Sequence, residues 1–362
     1  MKIGILTFHR SHNYGALLQA IALRTALTDM GHQVTFVDYW PPYHQHLYDL
    51  FSWASLKHMD FTTKLLYIAK VIFKYKCRKK RINSFEKFIA QYINPYVSAE
   101  EENYDLLIHG SDQIWAKQRE IRKFDPVYFG KNDIHANRQI SYAASMGKMV
   151  INKDDDVVLR DYLSHLASIS VRESELATLV EKCGYSCTVS ADPTLLISGE
   201  KWLSLLNLPP KKKGGYVLFY RMLKKSFDEQ QVKRFAAQHN LSLKIVYGSA
   251  TKKDTENEIT AADPRKFVEL LSGADFVFTS SYHGLVFAIL FHKPFYASFS
   301  GNAGRAASLL KRLNITEHLL QPNAQIPLQQ KEIDYGYVDS LIAEIQKESY
   351  KYLSDNTKTD NG

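Results

Sequence analysis

Apolar residues in this chain come mostly in short, continuous runs, each ending in a polar break. "KIGILTF" (2–8) reads as a buried strand and "HRSHNYG" as a polar loop. In the following "ALLQAIALRTALTDMG", Leu17, Leu18, Ile21, Leu23, Ala26 and Leu27 recur at helical spacing, with Gly31 as the stop. "QVTFVDY" supplies the next strand. Strand, loop, helix and strand make a βαβ unit, the usual opening of a parallel, doubly wound sheet. Further strand runs follow at 104–110, 138–146, 167–173 and 187–196. Around Pro209 the text changes to "LPPKKKGG", which reads as a linker. A second alternation then begins: "YVLFYRM", a helix from Phe227 to His239, "LKIVYG", a helix from Pro264 to Gly273, "DFVFTSS", and a helix from about Leu285.

This pattern predicts an α/β protein of two Rossmann-like domains facing across a cleft. The expected division is 1–205 for the first domain, 206–336 for the second, 337–353 for a C-terminal helix and 354–362 for a polar, disordered tail. In open α/β sheets ligands sit outside the carboxyl ends of the strands, so the loops after strands are where chemistry is expected. One stretch breaks the alternation. Residues 41–92 are aromatic, basic and mostly helical in pattern, and read as an insertion in the first domain. There Leu65, Leu66, Ile68, Ala69 and Ile72 fall close to one face, with lysines on the others. Either this is a surface helix with solvated lysines, or it lies on an anionic membrane surface.

Charge sharpens that choice. The 362-residue chain carries a net charge of +8. From Lys57 to Lys87 there are ten Lys/Arg against Asp60 and Glu86, a local excess of eight, so the remainder is close to neutral. A patch this localised points to an anionic surface or ligand, not to a protein that coats nucleic acid. Apolar residues make up 45% and charged residues 23%, as in an ordinary globular protein. No stretch reaches the ~18 to 20 apolar residues of a membrane span. The N-terminus lacks the pattern of a signal peptide, and Cys77, Cys183 and Cys187 read as free thiols. The expected location is the cytoplasm, with peripheral contact on the inner membrane face as the extension of the second reading.

Five loops carry candidate chemistry. Asn13, Tyr14 and Gly15 precede a helix whose N–H groups suit a phosphate or carboxylate, although the GxGxxG spacing is absent and Gly15 also serves a tight turn. In "HGSDQIW", Gly110, Ser111, Asp112 and Gln113 stand at a strand end beside Trp115. They read either as a sugar-binding edge or, for Asp112, as a helix cap. Arg172 and Glu173 end another strand, as an anion-binding fork or as a surface pair. Asp192, before Pro193, reads as a turn former. Ser280, Ser281 and His283 in "TSSYHG" open a helix. A histidine there has helix N–H groups beside it and can meet a bound anion, which suits a proton donor engaged only when substrate arrives.

Taken in order, "NYGALLQAIAL", "GSDQIW", "ISYAASMG", "SVRE", "DPTLL" and "TSSYHGLVFAILFHKPF" resemble the polysaccharide pyruvyl transferase family, over about residues 1–320. The resemblance implies a GT-B-like fold. It also implies transfer of a pyruvyl group from phosphoenolpyruvate to two hydroxyls of a cell-surface polysaccharide or its lipid-linked precursor, giving a ketal. The family's functional trio maps onto Arg172, His283 and Arg305, the last standing where the best-known members have lysine. Arginine keeps the charge but not lysine's capacity to lose a proton. On this resemblance no metal or cofactor is required, and Asp112 and Gln113 would orient the sugar. Two other readings compete: a GT-B glycosyltransferase using a nucleotide sugar, and a non-catalytic subunit of a polysaccharide assembly complex.

Overall fold

The computed structural model describes residues 1–358 apart from 46–47, 52–59, 99–102, 119–120, 148, 153, 211–212, 223–224, 251, 302, 328 and 330. In the first unit, β1 (Lys2–Leu6), β2 (Gln33–Phe36), β3 (Tyr104–His109) and β4 (Ala136–Ser141) form a parallel sheet in the order β2-β1-β3-β4. Backbone bridges from Ile140 to Ser168 and from Ala144 to Val171 continue it towards β5 (Ser170–Val171), which pairs with β6 (Thr188–Val189). In the second unit, β7 (Tyr216–Arg221), β8 (Ser242–Tyr247), β9 (Glu258–Ile259), β10 (Phe276–Thr279) and β11 (Phe295–Ala297) form a second parallel sheet, ordered β11-β10-β7-β8-β9. The central strands are apolar runs because both faces of a parallel sheet are covered.

Among the described residues the α-helices are α1 (Tyr14–Asp29), α2 (Phe61–Tyr92), α3 (Asp155–Leu163), α4 (Ser174–Lys182) and α5 (Gly199–Leu205), then α6 (Glu229–Gln238), α7 (Pro264–Gly273), α8 (Tyr282–Leu290), α9 (Gly304–Arg312) and α10 (Tyr335–Thr357). Strand order reverses between β1 and β3 in one sheet and between β7 and β10 in the other. Ligands bind at such switch points, and His283 follows β10, while Arg172, Asp192 and Arg305 reach the same region from after β5, β6 and β11.

α1 is buried almost all round. Its own sheet covers one side and the second unit covers another: the Tyr14 ring stacks on Phe267 of α7 with centroids 4.5 Å apart. The two units therefore share one apolar core. The sequence expectation for α8 needs correction, because the helix begins at Tyr282 and not at Leu285. Ser281 is extended (φ −126°) and serves as the N-cap, so His283 sits in the first turn.

α10 also differs from the expected 337–353. It runs from Tyr335 to Thr357, so residues 354–357 of the expected disordered tail are helical. The cause is burial against the first unit. The Tyr352 hydroxyl donates to Ser141 O (2.8 Å), Arg138 Nη2 donates to Asn356 Oδ1 (2.9 Å), and Ser349 Oγ accepts from Ala191 N (3.0 Å). The last helix thus returns to the N-terminal unit. Within the expected insertion at 41–92, α2 buries Phe85, Phe88 and Ile89, while its first half stays on the surface. Residues 52–59 of that insertion lie outside the described residues. Among the described residues no helix is long and apolar enough to cross a membrane.

Candidate active site

The site is built around a buried carboxylate that the sequence disguised. Asp192 was expected to shape a turn, and one oxygen does so: Oδ1 accepts from Thr194 N (3.0 Å) and Thr194 Oγ1 (2.6 Å). The other oxygen is ion-paired with Arg172 Nη1 and lies 3.4 Å from His283 Nε2. Burial disfavours the charged form, yet the fields of His283 and Arg172 hold this carboxyl well below the usual range. Asp192 thus joins the second unit's histidine to the first unit's arginine. It is the main site residue that sequence reasoning missed.

Arg172 is buried at the end of β5, and burial alone would lower its pKa. Asp192, Glu173 and Asp112 instead raise it above the ordinary arginine value. Asp112 stands 3.9 Å away and Glu173 3.7 Å, too far for hydrogen bonds. Nε and Nη2 of Arg172 consequently have no hydrogen-bond partner. Among the described residues these two nitrogens leave three N–H bonds of a buried guanidinium unsatisfied, which is costly unless a ligand takes them. Tyr282 stands between the two arginines, its ring centroid 5.4 Å from the Arg172 guanidinium carbon and 5.3 Å from that of Arg305. Arg305 Nε is 3.9 Å from Glu173 Oε1. Burial and the neighbouring Arg172 push the Arg305 pKa down, and burial pushes the Glu173 carboxyl up. Arg305 is therefore a buried cation that Glu173 and Asp112 compensate only in part.

Three helices bring these groups together, and in none of them does the N-cap residue bond the helix N–H groups with its own side chain. Glu173 is the N-cap of α4, His283 the second residue of α8 and Arg305 the second residue of α9. Helix N-termini carry partial positive charge, and here three of them and two arginines stand against the carboxylates of Asp192, Glu173 and Asp112. A cavity of about 250 Å³ adjoins it, walled by Met146, Gly147, Met149, Glu173, Leu176 and Arg305 among others. Ser145, also missed in the sequence, anchors Glu173 by donating to Oε1 at 2.5 Å.

The remaining sequence candidates divide. Gly15 belongs to the site by close approach: a Cβ there would lie 2.0 Å from His283 Nδ1. Asn13 is occupied as the cap of α1, accepting from Gly15 N (2.9 Å) and Ala16 N (3.4 Å). The expectation that Tyr14 touches substrate is corrected, because packing uses the whole side chain. Its ring is sandwiched by Phe85 and Phe267, and its hydroxyl donates to Ala262 O at 2.9 Å. Gly110 has φ +133° and passes so near Tyr142 O that a Cβ would come within 2.2 Å. Ser111 is fully buried, its N bonded to Gln19 Oε1 (3.2 Å) and its Oγ to Ala143 O (2.9 Å), which removes it from substrate contact. Trp115 is equally buried, stacked on Phe129 with Nε1 donating to Tyr128 O, so no sugar can lie on its face. Asp112 stands 3.9 Å from Arg172, and Gln113 lies against Gly147 of the cavity wall. Ser280 Oγ accepts from Met222 N (2.9 Å), tying the β7 and β10 loops together, and Ser281 caps α8 with backbone only.

Residues 13–299 match the family described as polysaccharide pyruvyl transferase. No curated protein matches the chain. Among solved structures, the UDP-GlcNAc 2-epimerase of Methanocaldococcus jannaschii is similar at 8% identity, over 99% of each chain, with a TM-score of 0.48. A putative UDP-N-acetylglucosamine 2-epimerase of Listeria monocytogenes is similar at 10% identity, over 96% of this chain and 89% of its own, with a TM-score of 0.45. The spinosyn forosaminyltransferase SpnP is similar at 12% identity, over 97% and 95%, with a TM-score of 0.39. The family match covers well over half of the sequence and includes Arg172 and His283. This chain belongs to the polysaccharide pyruvyl transferase family.

Proposed function

We propose that the protein transfers a pyruvyl group from phosphoenolpyruvate to two hydroxyls of a sugar in a polysaccharide or its lipid-linked precursor, forming a ketal. The observation that carries this reading is the pair of arginines, Arg172 with unbonded guanidinium nitrogens, around one histidine in the first turn of α8. Phosphoenolpyruvate presents a carboxylate and a phosphate, and the unbonded N–H groups of Arg172 with the undercompensated Arg305 match two anionic groups.

Protonated His283 donates its proton to the methylene carbon, and Asp192 holds the imidazolium in place. The central carbon then has oxocarbenium character, and one sugar hydroxyl adds to it. The carbon–oxygen bond to phosphate breaks and the second hydroxyl closes the ketal. Of the two protons released by the hydroxyls, one returns to His283 and one leaves on phosphate. Gln113, against Gly147 of the 250 Å³ cavity, and Asp112, beside Arg172, orient the acceptor. A lipid-carried acceptor would bring the reaction to the inner membrane face.

The test is phosphate release from phosphoenolpyruvate with candidate lipid-linked sugars. His283→Gln should lower kcat by roughly 10²–10⁴ while phosphoenolpyruvate affinity is kept. Unchanged turnover in that variant would sink the proton-donor role.

A further inference from the structure

The first half of α2 is unusual for the surface of a globular protein. Phe61, Leu65, Leu66, Ile68, Ile72 and Phe73 are each between 37 and 83% exposed. At 3.6 residues per turn, Phe61, Leu65, Ile68 and Ile72 share one line along the helix, and Leu66 and Phe73 form a second line roughly a third of a turn round from it. An exposed apolar stripe of this extent marks an interaction surface. Charge says what it meets. Residues 61–85 contain eight Lys/Arg and no Asp or Glu. Where α2 reaches the second unit, a cavity of about 520 Å³ opens against residues 252–260. Its walls include Phe73, Lys74, Lys76, Cys77, Lys252 and Lys253. The one carboxylate there, Asp254, is taken by Lys80 at 2.7 Å. The stripe therefore runs into a lysine-lined hollow to which both units contribute.

We infer that this face docks on an anionic phospholipid bilayer, with the apolar side chains entering the interface and the lysines seated on lipid phosphates. An apolar face flanked by lysines is the combination that interfacial helices use, and each basic residue near an anionic surface adds about 1 kcal/mol. A second copy of the chain would bring the same eight positive charges against these, so self-association is the weaker match. Docking would also place the chemistry near the bilayer. Arg81, next to Lys80, donates to Tyr14 Oη (3.2 Å) and Thr260 O (2.8 Å), and Gly15 beside Tyr14 touches His283. The inference does not depend on the reaction and stands or falls separately from it.

The test is flotation of the full chain with vesicles of phosphatidylglycerol and phosphatidylcholine, against phosphatidylcholine alone. Binding should be at least roughly tenfold stronger to the anionic vesicles. Leu66→Glu with Ile72→Glu should abolish it, and Lys76→Glu with Lys253→Glu should weaken it roughly tenfold or more. All four side chains are on the surface, so thermal melting should not change. Three results would overturn the inference: equal binding to uncharged vesicles, binding insensitive to either double variant, or a dimer of the wild type that the Leu66/Ile72 variant disperses. Failure of both variants to bind while they melt normally supports it.

Discussion

Asp192 shows most clearly how a single residue can organise this site. It is fully buried, paired with Arg172 and 3.4 Å from His283 Nε2, so it touches both the cation and the proton donor of the proposed reaction. Removing one partner of a buried ion pair leaves the other uncompensated. Asp192→Asn should therefore cost about 3 kcal/mol at neutral pH, measured by urea denaturation. The pH dependence has a definite sign. Because the folded carboxyl titrates below its unfolded value, its contribution is fully present above the ordinary carboxylate range. That contribution is lost as pH falls from that range towards the depressed value, so the wild-type and Asp192→Asn stabilities should converge in acid. A constant gap down to pH 3 would contradict the assignment. None of this was legible in "SADPTLL", since a carboxylate before proline carries a local turn signal and its ion pairs come from residues 20 and 91 positions away.

At the scale of elements, the strands were legible because parallel strands buried on both faces appear as apolar runs. The loops that carry Arg172, Glu173 and His283 were legible for the same reason, as the polar text where those runs stop. Helix starts were less so. The first turn of α8 holds Ser281, Tyr282, His283 and Gly284, polar or small enough to read as loop, although it is the turn that makes the site. Tyr14 and Trp115 were misjudged because an aromatic residue in a loop text can equally be a core residue: the meeting of α1 with α7 decides Tyr14, and packing on Phe129 decides Trp115. That meeting also explains Gly15. α1 lies so close to α8 that no side chain fits between them, so Gly15→Ala should displace the His283 ring. Its expected cost is about 1–3 kcal/mol of stability with a larger relative fall in kcat than in phosphoenolpyruvate affinity. A variant with wild-type kcat would show that the histidine does not need that position.

At the scale of the whole molecule, the site exists only where the two units meet. Arg172 and Asp192 come from the first, His283 and Arg305 from the second, and α1 and α10 bind the halves through one apolar core. The two-sheet plan was legible in the alternation of strands and helices, whereas the return of α10 to the first unit was not, because its docking contacts lie some 150 to 220 residues away in sequence. The arrangement makes one central claim: the interface is an anion site shaped for a carboxylate and a phosphate on one small molecule. Calorimetric titration with phosphoenolpyruvate and with UDP tests it most directly. The account predicts single-site binding of phosphoenolpyruvate, weakened roughly 10- to 100-fold by Arg305→Ala, as expected for losing a charged hydrogen-bond partner. Tight binding of UDP, with no phosphoenolpyruvate binding in the same protein, would contradict it.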